Sequence, residues 1–188
     1  MASDILPEPV LAGRKHELGE LKSLLDLAIK GQGRTVFISG EAGAGKTRLL
    51  TELLNIAKKS DVTVLTGWCL SDAAVPYFPF VEAFDSYFSS NEEEEASAVN
   101  LRTSLESWLK ETIKPEPSQR FTDAPPQAWK DQAFGTVTKE LLLLSTRKPL
   151  ILALEDIHWA DSASLFLLQY LGRQVGSERI LVIATYRS

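Results

Sequence analysis

Residues 40–47 read GEAGAGKT and lie between an apolar run, TVFIS (35–39), and a leucine-rich stretch, RLLTELL (48–54). The segment fits the pattern G-x-x-x-x-G-K-[ST], in which a glycine-rich turn joins a strand to a helix. A polyphosphate needs many amide donors close to its oxygens, and glycine permits both the close approach and the unusual φ values of such a turn. The sequence therefore predicts a phosphate-binding loop and, with it, an α/β fold.

The fixed positions of this loop predict a nucleoside triphosphate site for ATP or ADP with Mg²⁺. Lys46 would reach the β- and γ-phosphates as a point charge, and Thr47 would bind the metal ion. The dipole of the helix that begins there favours an anion. We predict further nucleotide contacts from the rest of the loop and the residue after it, namely Gly40, Glu41, Ala42, Gly43, Ala44, Gly45 and Arg48.

The apolar residues of the flanking sequence indicate alternating strands and helices. Leucines at helical spacing predict a helix over residues 14–30, and Asp161 is positioned to cap a later helix that starts with SASLF. Four apolar runs are typical of strands in a parallel sheet that is covered on both faces. These predicted strands span residues 34–40, 61–67, 148–156 and 178–187, and a mostly helical segment over residues 80–147 separates the second from the third.

An acidic pair follows the third predicted strand in ILALEDIHWAD (151–161). Ligands bind at the carboxyl ends of the strands in an open parallel sheet, so Glu155 and Asp156 should face the phosphate loop. Mg²⁺-dependent hydrolysis needs a carboxylate near the metal and a group that orients the attacking water. By position we assign Glu155 to the metal and Asp156 to the water, and the opposite assignment stays open, so both are candidate metal ligands.

Thr185 and Arg187 end the fourth predicted strand at the same edge of the sheet. A cation at Arg187 would detect a γ-phosphate through charge-assisted hydrogen bonds. Beside the acidic pair, we expect His158 to be a packed, hydrogen-bonded residue and Trp159 to lie in the core. Cys69 is expected to be a small buried residue, because no partner for nucleophilic catalysis is apparent.

Composition limits the remaining functions. A chain of 188 residues with 44% hydrophobic residues suits one domain, residues 1–188. The net charge of −5, without a local Lys/Arg cluster, argues against direct nucleic-acid binding. One cysteine and two histidines leave no internal disulfide and no metal-ligand spacing, and neither a signal peptide nor an apolar membrane span is apparent. We expect a cytoplasmic location without membrane contact.

Five segments together resemble the AAA+-related STAND ATPases, a signal-transduction group that includes large LuxR-type regulators and ATPase regions fused to nucleotide cyclases. These are LAGRKHELGEL (11–21), GEAGAGKTRLL (40–50), PYFPFVEAF (76–84), LILALEDIHWADSASLFLLQYL (150–171) and LVIATYR (181–187). The resemblance implies a three-layer α/β/α P-loop NTPase core. Its mainly parallel sheet would have the strand order 2-3-4-1, with residues 80–147 as a helical insertion.

The resemblance also implies roles for residues that spacing alone does not assign. Val10, Leu11, Gly13 and Arg14 would line the adenine pocket, and Arg187 would match the sensor arginine of strand four. Such proteins are switches: ADP holds a closed monomer, whereas ATP and an inducer give an open oligomer that slow hydrolysis resets. A helical lid and an output domain would be the partners of this core, together with further copies in a homo-oligomer.

Two departures from the family pattern leave alternatives open. The chain ends at Ser188, before the fifth strand and lid expected in the family, which suggests a fragment. The acidic pair reads Glu-Asp where many related ATPases have Asp-Glu, which puts catalysis in question. The alternatives are a small-molecule or nucleotide kinase, a DNA-associated AAA+ ATPase, and a module that binds nucleotide without hydrolysing it.

Overall fold

The structure is a computed structural model that describes residues 13–69, 76–90 and 126–188, with the backbone alone for residues 126–133. These residues form five α-helices and four strands. In chain order they are α1 (Lys15–Ile29), β1 (Arg34–Ser39), α2 (Lys46–Lys59), β2 (Thr63–Trp68), α3 (Phe78–Ser90), α4 (Pro126–Arg147), β3 (Leu150–Glu155), α5 (Ser162–Gln174) and β4 (Ile180–Tyr186). Short 3₁₀ turns at Ile157–Trp159 and Val175–Ser177 flank α5.

The four strands form one parallel sheet in the order β1-β4-β3-β2, which is the predicted order 2-3-4-1. The central strands are continuous apolar runs because helices cover both of their faces. All of β3 except Glu155 is buried, and all of β4 except Tyr186. The edge strand β1 is more exposed, with Phe37 55% accessible.

Helices pack on both faces of the sheet, which confirms the three-layer α/β/α fold. On one face, α1 and α2 bury a leucine cluster that includes Leu21, Leu25 and Leu53 against Ile151 and Ile183. On the other face, α3, α4 and α5 pack together. Their cluster contains Phe80, Phe84, Leu141 and Leu167 and contacts Leu152 and Val182 of the sheet.

The predicted helical segment between β2 and β3 contains α3 and α4, both of which cover the sheet directly. Residues 91–125 of this segment lie outside the described residues, as do Val10 and Leu11. Its status as an insertion in a single domain stays a prediction. In the described part of the chain, no helix is long and apolar enough to cross a membrane.

Asp161 caps α5 as predicted, and its carboxylate also connects two helices. Oδ1 accepts from the Ser164 amide at 3.0 Å, and Oδ2 accepts from the Tyr77 amide at 3.3 Å. Tyr77 has a left-handed backbone with φ 61° and directly precedes α3. The cap therefore also fixes the entry into α3, close to the carboxyl edge of the sheet.

Candidate functional site

The strand order brings three distant segments to one edge of the sheet. β4 lies between β1 and β3, with Tyr186 opposite Ser39 and Ala184 opposite Leu154. Because all strands are parallel, the segments that follow them leave the sheet on the same side. The loop 40–47, the acidic pair and Arg187 therefore meet at the carboxyl edge.

The backbone of the glycine loop requires glycine at two positions. Gly43 and Gly45 have φ values of 78° and 82°, and an added Cβ at either would meet nothing within 4 Å. The requirement is therefore conformational, because residues with a side chain rarely adopt these angles. The Ala44 amide donates to the Glu41 carbonyl at 3.2 Å, which closes the turn.

The loop ends at the amino terminus of α2, with Gly45 in the N-cap position and no side-chain cap. The first amides of a helix have no acceptor within the helix, and the helix dipole places positive charge there. Donors of this kind, reached through a glycine turn, suit a polyphosphate. The described residues of the loop therefore fit the predicted nucleotide site.

Lys46 adds a full positive charge within this loop. Its ammonium donates to the Gly40 carbonyl at 2.8 Å and to the Glu41 carbonyl at 2.9 Å. Both acceptors lie at the start of the loop, whereas Lys46 lies near its end. The lysine side chain therefore crosses the loop and connects its two ends. The predicted phosphate-binding group is thus held in the loop that the phosphates would occupy.

Thr47 connects the loop to the acidic pair. Its hydroxyl donates to Glu155 Oε2 at 3.0 Å, although the two residues are 108 positions apart. A hydroxyl and a carboxylate are oxygen ligands of the type that Mg²⁺ prefers. The described residues hold no group of three or more His, Cys, Asp or Glu side chains that could hold a metal alone. This pair therefore fits a Mg²⁺ ion that takes its other ligands from water and phosphate, and it favours Glu155 on the metal side.

Asp156 directly follows β3 in a left-handed conformation, with φ 55° and ψ 43°. Its amide donates to Thr185 Oγ1 at 3.0 Å, and Thr185 is 1% exposed. The backbone at Asp156 is therefore held by a hydrogen bond to the neighbouring strand. From the sequence we placed Thr185 at this edge of the sheet but assigned it no function. The signal that could have identified its role is the presence of a threonine in the otherwise mainly apolar run LVIATY.

Arg187 and the 3₁₀ turn that follows Asp156 lie beside each other at the carboxyl edge of the sheet. The Arg187 amide donates to His158 Nδ1 at 3.4 Å, and the same nitrogen lies 3.9 Å from Asp156 Oδ1. Arg187 is exposed. The expectation that Trp159 lies in the core is wrong, because the 3₁₀ turn buries Ile157 instead. Trp159 is 48% exposed, and its ring lies 5.0 Å from that of His158.

The predicted base-pocket residues are only partly described. Gly13 has φ 80°, and Arg14 precedes α1 with its guanidinium directed at the phosphate loop. One nitrogen donates to the Ala44 carbonyl at 2.9 Å, and another pairs with Glu17 at 2.7 Å. A backbone hydrogen bond and then the bond from Arg14 lower the pKa of Glu17.

Arg48 lies one residue beyond the loop, on the first turn of α2. Its guanidinium pairs with Glu52 at 2.6 Å, one helical turn further along. The side chain is about two-thirds buried. The described contact therefore runs along the helix, and a nucleotide contact from Arg48 stays a prediction.

Comparison with known proteins gives two findings. A family profile described as an AAA ATPase domain matches residues 10–183. An uncharacterized protein of Rhizobium meliloti (strain 1021) is 26% identical over an alignment 196 residues long, which covers 94% of this chain. The chain spans only 18% of the length of that relative.

Proposed function

Because the chain belongs to the AAA ATPase domain family, we propose that it is a nucleotide-dependent switch that binds ATP or ADP with Mg²⁺ and hydrolyses ATP slowly. The observation that carries this proposal is the hydrogen bond from Thr47 to Glu155 at 3.0 Å. It joins the phosphate loop to the acidic pair without any other element between them. A loop that only held an anion would not need a carboxylate at this place.

In this proposal each residue of the edge has a distinct task. Lys46 and the amides at the start of α2 bind the phosphates, while Thr47 and Glu155 hold the metal ion. Bound Mg²⁺ would neutralise phosphate charge. Asp156 accepts a hydrogen bond from the attacking water and orients it, with its own backbone fixed by Thr185.

Sensing is assigned to Arg187, which follows β4 between the loop and the acidic pair. A guanidinium there gains charge-assisted hydrogen bonds when a γ-phosphate is present and loses them with ADP. A switch needs this kind of difference, because a ligand shifts an equilibrium only by its differential affinity for the two states. The resemblance to STAND ATPases supports the same role.

We also propose that ATP hydrolysis is slow and that the switch regulates an output domain in the same protein. Asp156 stands where many related ATPases have glutamate, and its shorter side chain reaches less far towards a water molecule. The relative from Rhizobium meliloti is much longer than this chain, which is compatible with a lid and an output domain outside the core. A nucleotide-dependent homo-oligomer is part of the same proposal.

The test is calorimetric titration of ATP and of ADP, each with Mg²⁺, with phosphate release followed in parallel. Lys46→Ala should lose detectable binding of both nucleotides, because it removes the charge that contacts the phosphates. Lys58→Ala is the matched control, since it removes the same charge from the exposed far end of α2. Equal affinity in the Lys46 and Lys58 variants would refute the phosphate-loop assignment.

Hydrolysis is tested separately with Asp156→Asn, which keeps the size of the side chain and removes its charge. This variant should bind ATP as the parent chain does and release phosphate more slowly, by about 10²-fold or more, the usual contribution of a general base. Turnover that rises only when a small acceptor is added would indicate a kinase. Unchanged phosphate release would remove Asp156 from the mechanism.

A further inference from the structure

We propose that Arg14 is a positioning residue of the phosphate loop: by hydrogen bonding the Ala44 carbonyl, it sets the direction of the Gly45 amide. This inference rests on the proposed nucleotide function and assigns Arg14 to the phosphate end of the ligand. It differs from the adenine-pocket role that the family resemblance implies for the same residue. The two roles make opposite predictions for a ligand that has phosphates and no base.

Arg14 acts from a rigid support. It directly precedes α1, and its own carbonyl accepts from the Leu18 amide at 3.0 Å. The helix is anchored by three buried residues, Leu21, Leu25 and Ala28, in the core under β4 and β3. Glu17 accepts a second hydrogen bond from the guanidinium at 2.7 Å and so orients it.

The peptide that Arg14 contacts has little conformational restraint of its own. Ala44 lies between Gly43 and Gly45, which have φ values of 78° and 82°. Glycine passes between positive and negative φ at small cost, so the Ala44–Gly45 peptide plane is able to rotate. The hydrogen bond from Arg14 to the Ala44 carbonyl, at 2.9 Å, fixes one of its orientations.

The orientation of this carbonyl determines that of the next amide. In a planar trans peptide the C=O and N–H bonds point in opposite directions. With the Ala44 oxygen on Arg14, the Gly45 N–H points away from Arg14. It then joins the Lys46 and Thr47 amides, which lack intrahelical acceptors at the start of α2. Rotating the peptide would replace this donor with a carbonyl oxygen, which repels phosphate.

The consequence is a link between α1 and nucleotide affinity. Any event that moves the start of α1 withdraws the guanidinium from Ala44 and releases the peptide. The loop then loses a donor for the phosphates, whichever nucleotide is present. ATP and ADP affinity should therefore fall together, whereas the proposed sensing by Arg187 would change their ratio.

The experiment compares inorganic pyrophosphate, ADP and ATP, each with Mg²⁺, by displacement of a fluorescent ADP analogue. Arg14→Ala should weaken all three by a similar factor of about ten, the loss of one charge-assisted hydrogen bond. Arg34→Ala is the matched control, because Arg34 carries the same charge at the opposite end of β1 and, among the residues that the structure describes, donates to the Gly33 carbonyl of its own neighbour. It should leave all three affinities unchanged.

Two further variants separate positioning from charge and from folding. Arg14→Lys keeps the charge but lacks the planar fork whose two nitrogens reach Ala44 and Glu17, so it should restore binding only in part. Glu17→Gln keeps Arg14 and removes its ionic partner, so it should give a smaller loss than Arg14→Ala. Full rescue by lysine would show a charge effect and would overturn the positioning role.

The decisive outcome is the pyrophosphate result. Weaker ADP and ATP binding with unchanged pyrophosphate binding would place Arg14 at the base and refute the inference. A similar loss for all three ligands, with a shifted Gly45 amide resonance in nucleotide-free Arg14→Ala, would support it. If the parent chain binds none of the three, the proposed function fails, which is a separate result.

Discussion

At the residue scale, Asp156 combines a half-exposed carboxylate with a backbone that its neighbours must hold in place. A left-handed conformation costs a residue with a side chain about 1–2 kcal/mol, although aspartate tolerates it better than most. The acceptor that compensates is the buried hydroxyl of Thr185 on the next strand. The water-orienting role proposed for Asp156 would therefore depend on Thr185, a residue that would not touch the nucleotide.

Thr185→Val tests this dependence, because valine has nearly the same shape and no acceptor. The part-buried Asp156 amide would lose its partner, which should cost about 1 kcal/mol of stability. We expect slower ATP hydrolysis with nearly unchanged ATP affinity, measured as kcat and Kd. Thr185→Ser keeps the hydroxyl and should retain most of the activity; equal kcat in the serine and valine variants would contradict the positioning role.

At the element scale, α3 lies so close to β2 that only glycine fits between them. A Cβ on Gly67 would lie 1.8 Å from the Pro79 carbonyl oxygen and 3.2 Å from the Ala83 side chain. Gly67 is buried in the strand, and Ala83 is fully buried in the helix. The absence of a side chain at residue 67 thus sets the distance between the sheet and the helix.

Gly67→Ala should therefore destabilise the fold by several kcal/mol, because backbone rather than a flexible side chain must shift. Gly19→Ala is the matched control at an exposed position of helix α1, where a Cβ meets nothing within 4 Å. It should stabilise the chain by about 0.5–1 kcal/mol, since alanine favours helix. Urea denaturation of both variants measures the change in the free energy of unfolding. A change of the same sign in the two variants would be inconsistent with close packing at Gly67.

Helix α4 carries a carboxylate that gives stability a dependence on pH. Burial raises the pKa of Glu140, and nearby Lys139 only partly offsets this. A raised pKa means that the folded state holds the proton more tightly than the unfolded state. The stabilisation is present below the unfolded pKa and is lost as pH rises through the folded pKa.

Glu140→Gln should consequently gain stability relative to the parent chain as pH rises. The difference in free energy of unfolding should be smallest at about pH 4, near the ordinary glutamate pKa. The difference should grow as pH rises through the raised pKa of Glu140 and stay constant above it. Chemical denaturation at a series of pH values measures this, and a pH-independent difference would remove Glu140 as the source.

The elements of the fold were predictable from the sequence, because long apolar runs and glycine turns are local signals. The runs that became β3 and β4 predict buried parallel strands, and GEAGAGKT predicts the strand, turn and helix around it. The contact from Arg14 to Ala44 spans 30 residues, and that from Asp156 to Thr185 spans 29. Such contacts depend on strand order and helix docking, which have no local signature.

The position of Trp159 was predicted wrongly from the sequence, because it also depends on a conformation that has no local signature. From the sequence we expected Trp159 to lie in the core. The left-handed Asp156 turns the chain into a 3₁₀ turn that directs Ile157 inward and leaves Trp159 exposed. The local backbone conformation after β3 thus bears on which of the two apolar residues is buried.

At the scale of the whole molecule, the reactivity of Cys69 reports how often the folded protein opens near the end of β2. It is the one cysteine of the chain, and it follows β2 with 9% exposure. Burial, followed by the charges of Asp161 and Asp156, raises the pKa of its thiol to about 12. Because the thiolate is the reactive form, the folded protein should react very slowly with thiol reagents.

Labelling with iodoacetamide at pH 8 tests this expectation. The thiolate fraction should be roughly 10⁻⁴ for a pKa near 12, so modification should proceed through opening or unfolding. Its rate in rising urea should follow the unfolded fraction measured by circular dichroism. Labelling as fast as that of the unfolded chain would mean that the β2 edge is open under native conditions.

The position of β4 also has a consequence for synthesis on the ribosome. β4 is the last of the four strands to be translated, yet it lies between β1 and β3 and is the strand that pairs with β1. A nascent chain that has passed Glu155 but not Tyr186 contains the loop and the acidic pair without the strand that joins them. Until that strand emerges, the edges of β1 and β3 stay open to wrong pairing. The nascent chain can therefore assemble its site only after β4 has been synthesised and has emerged.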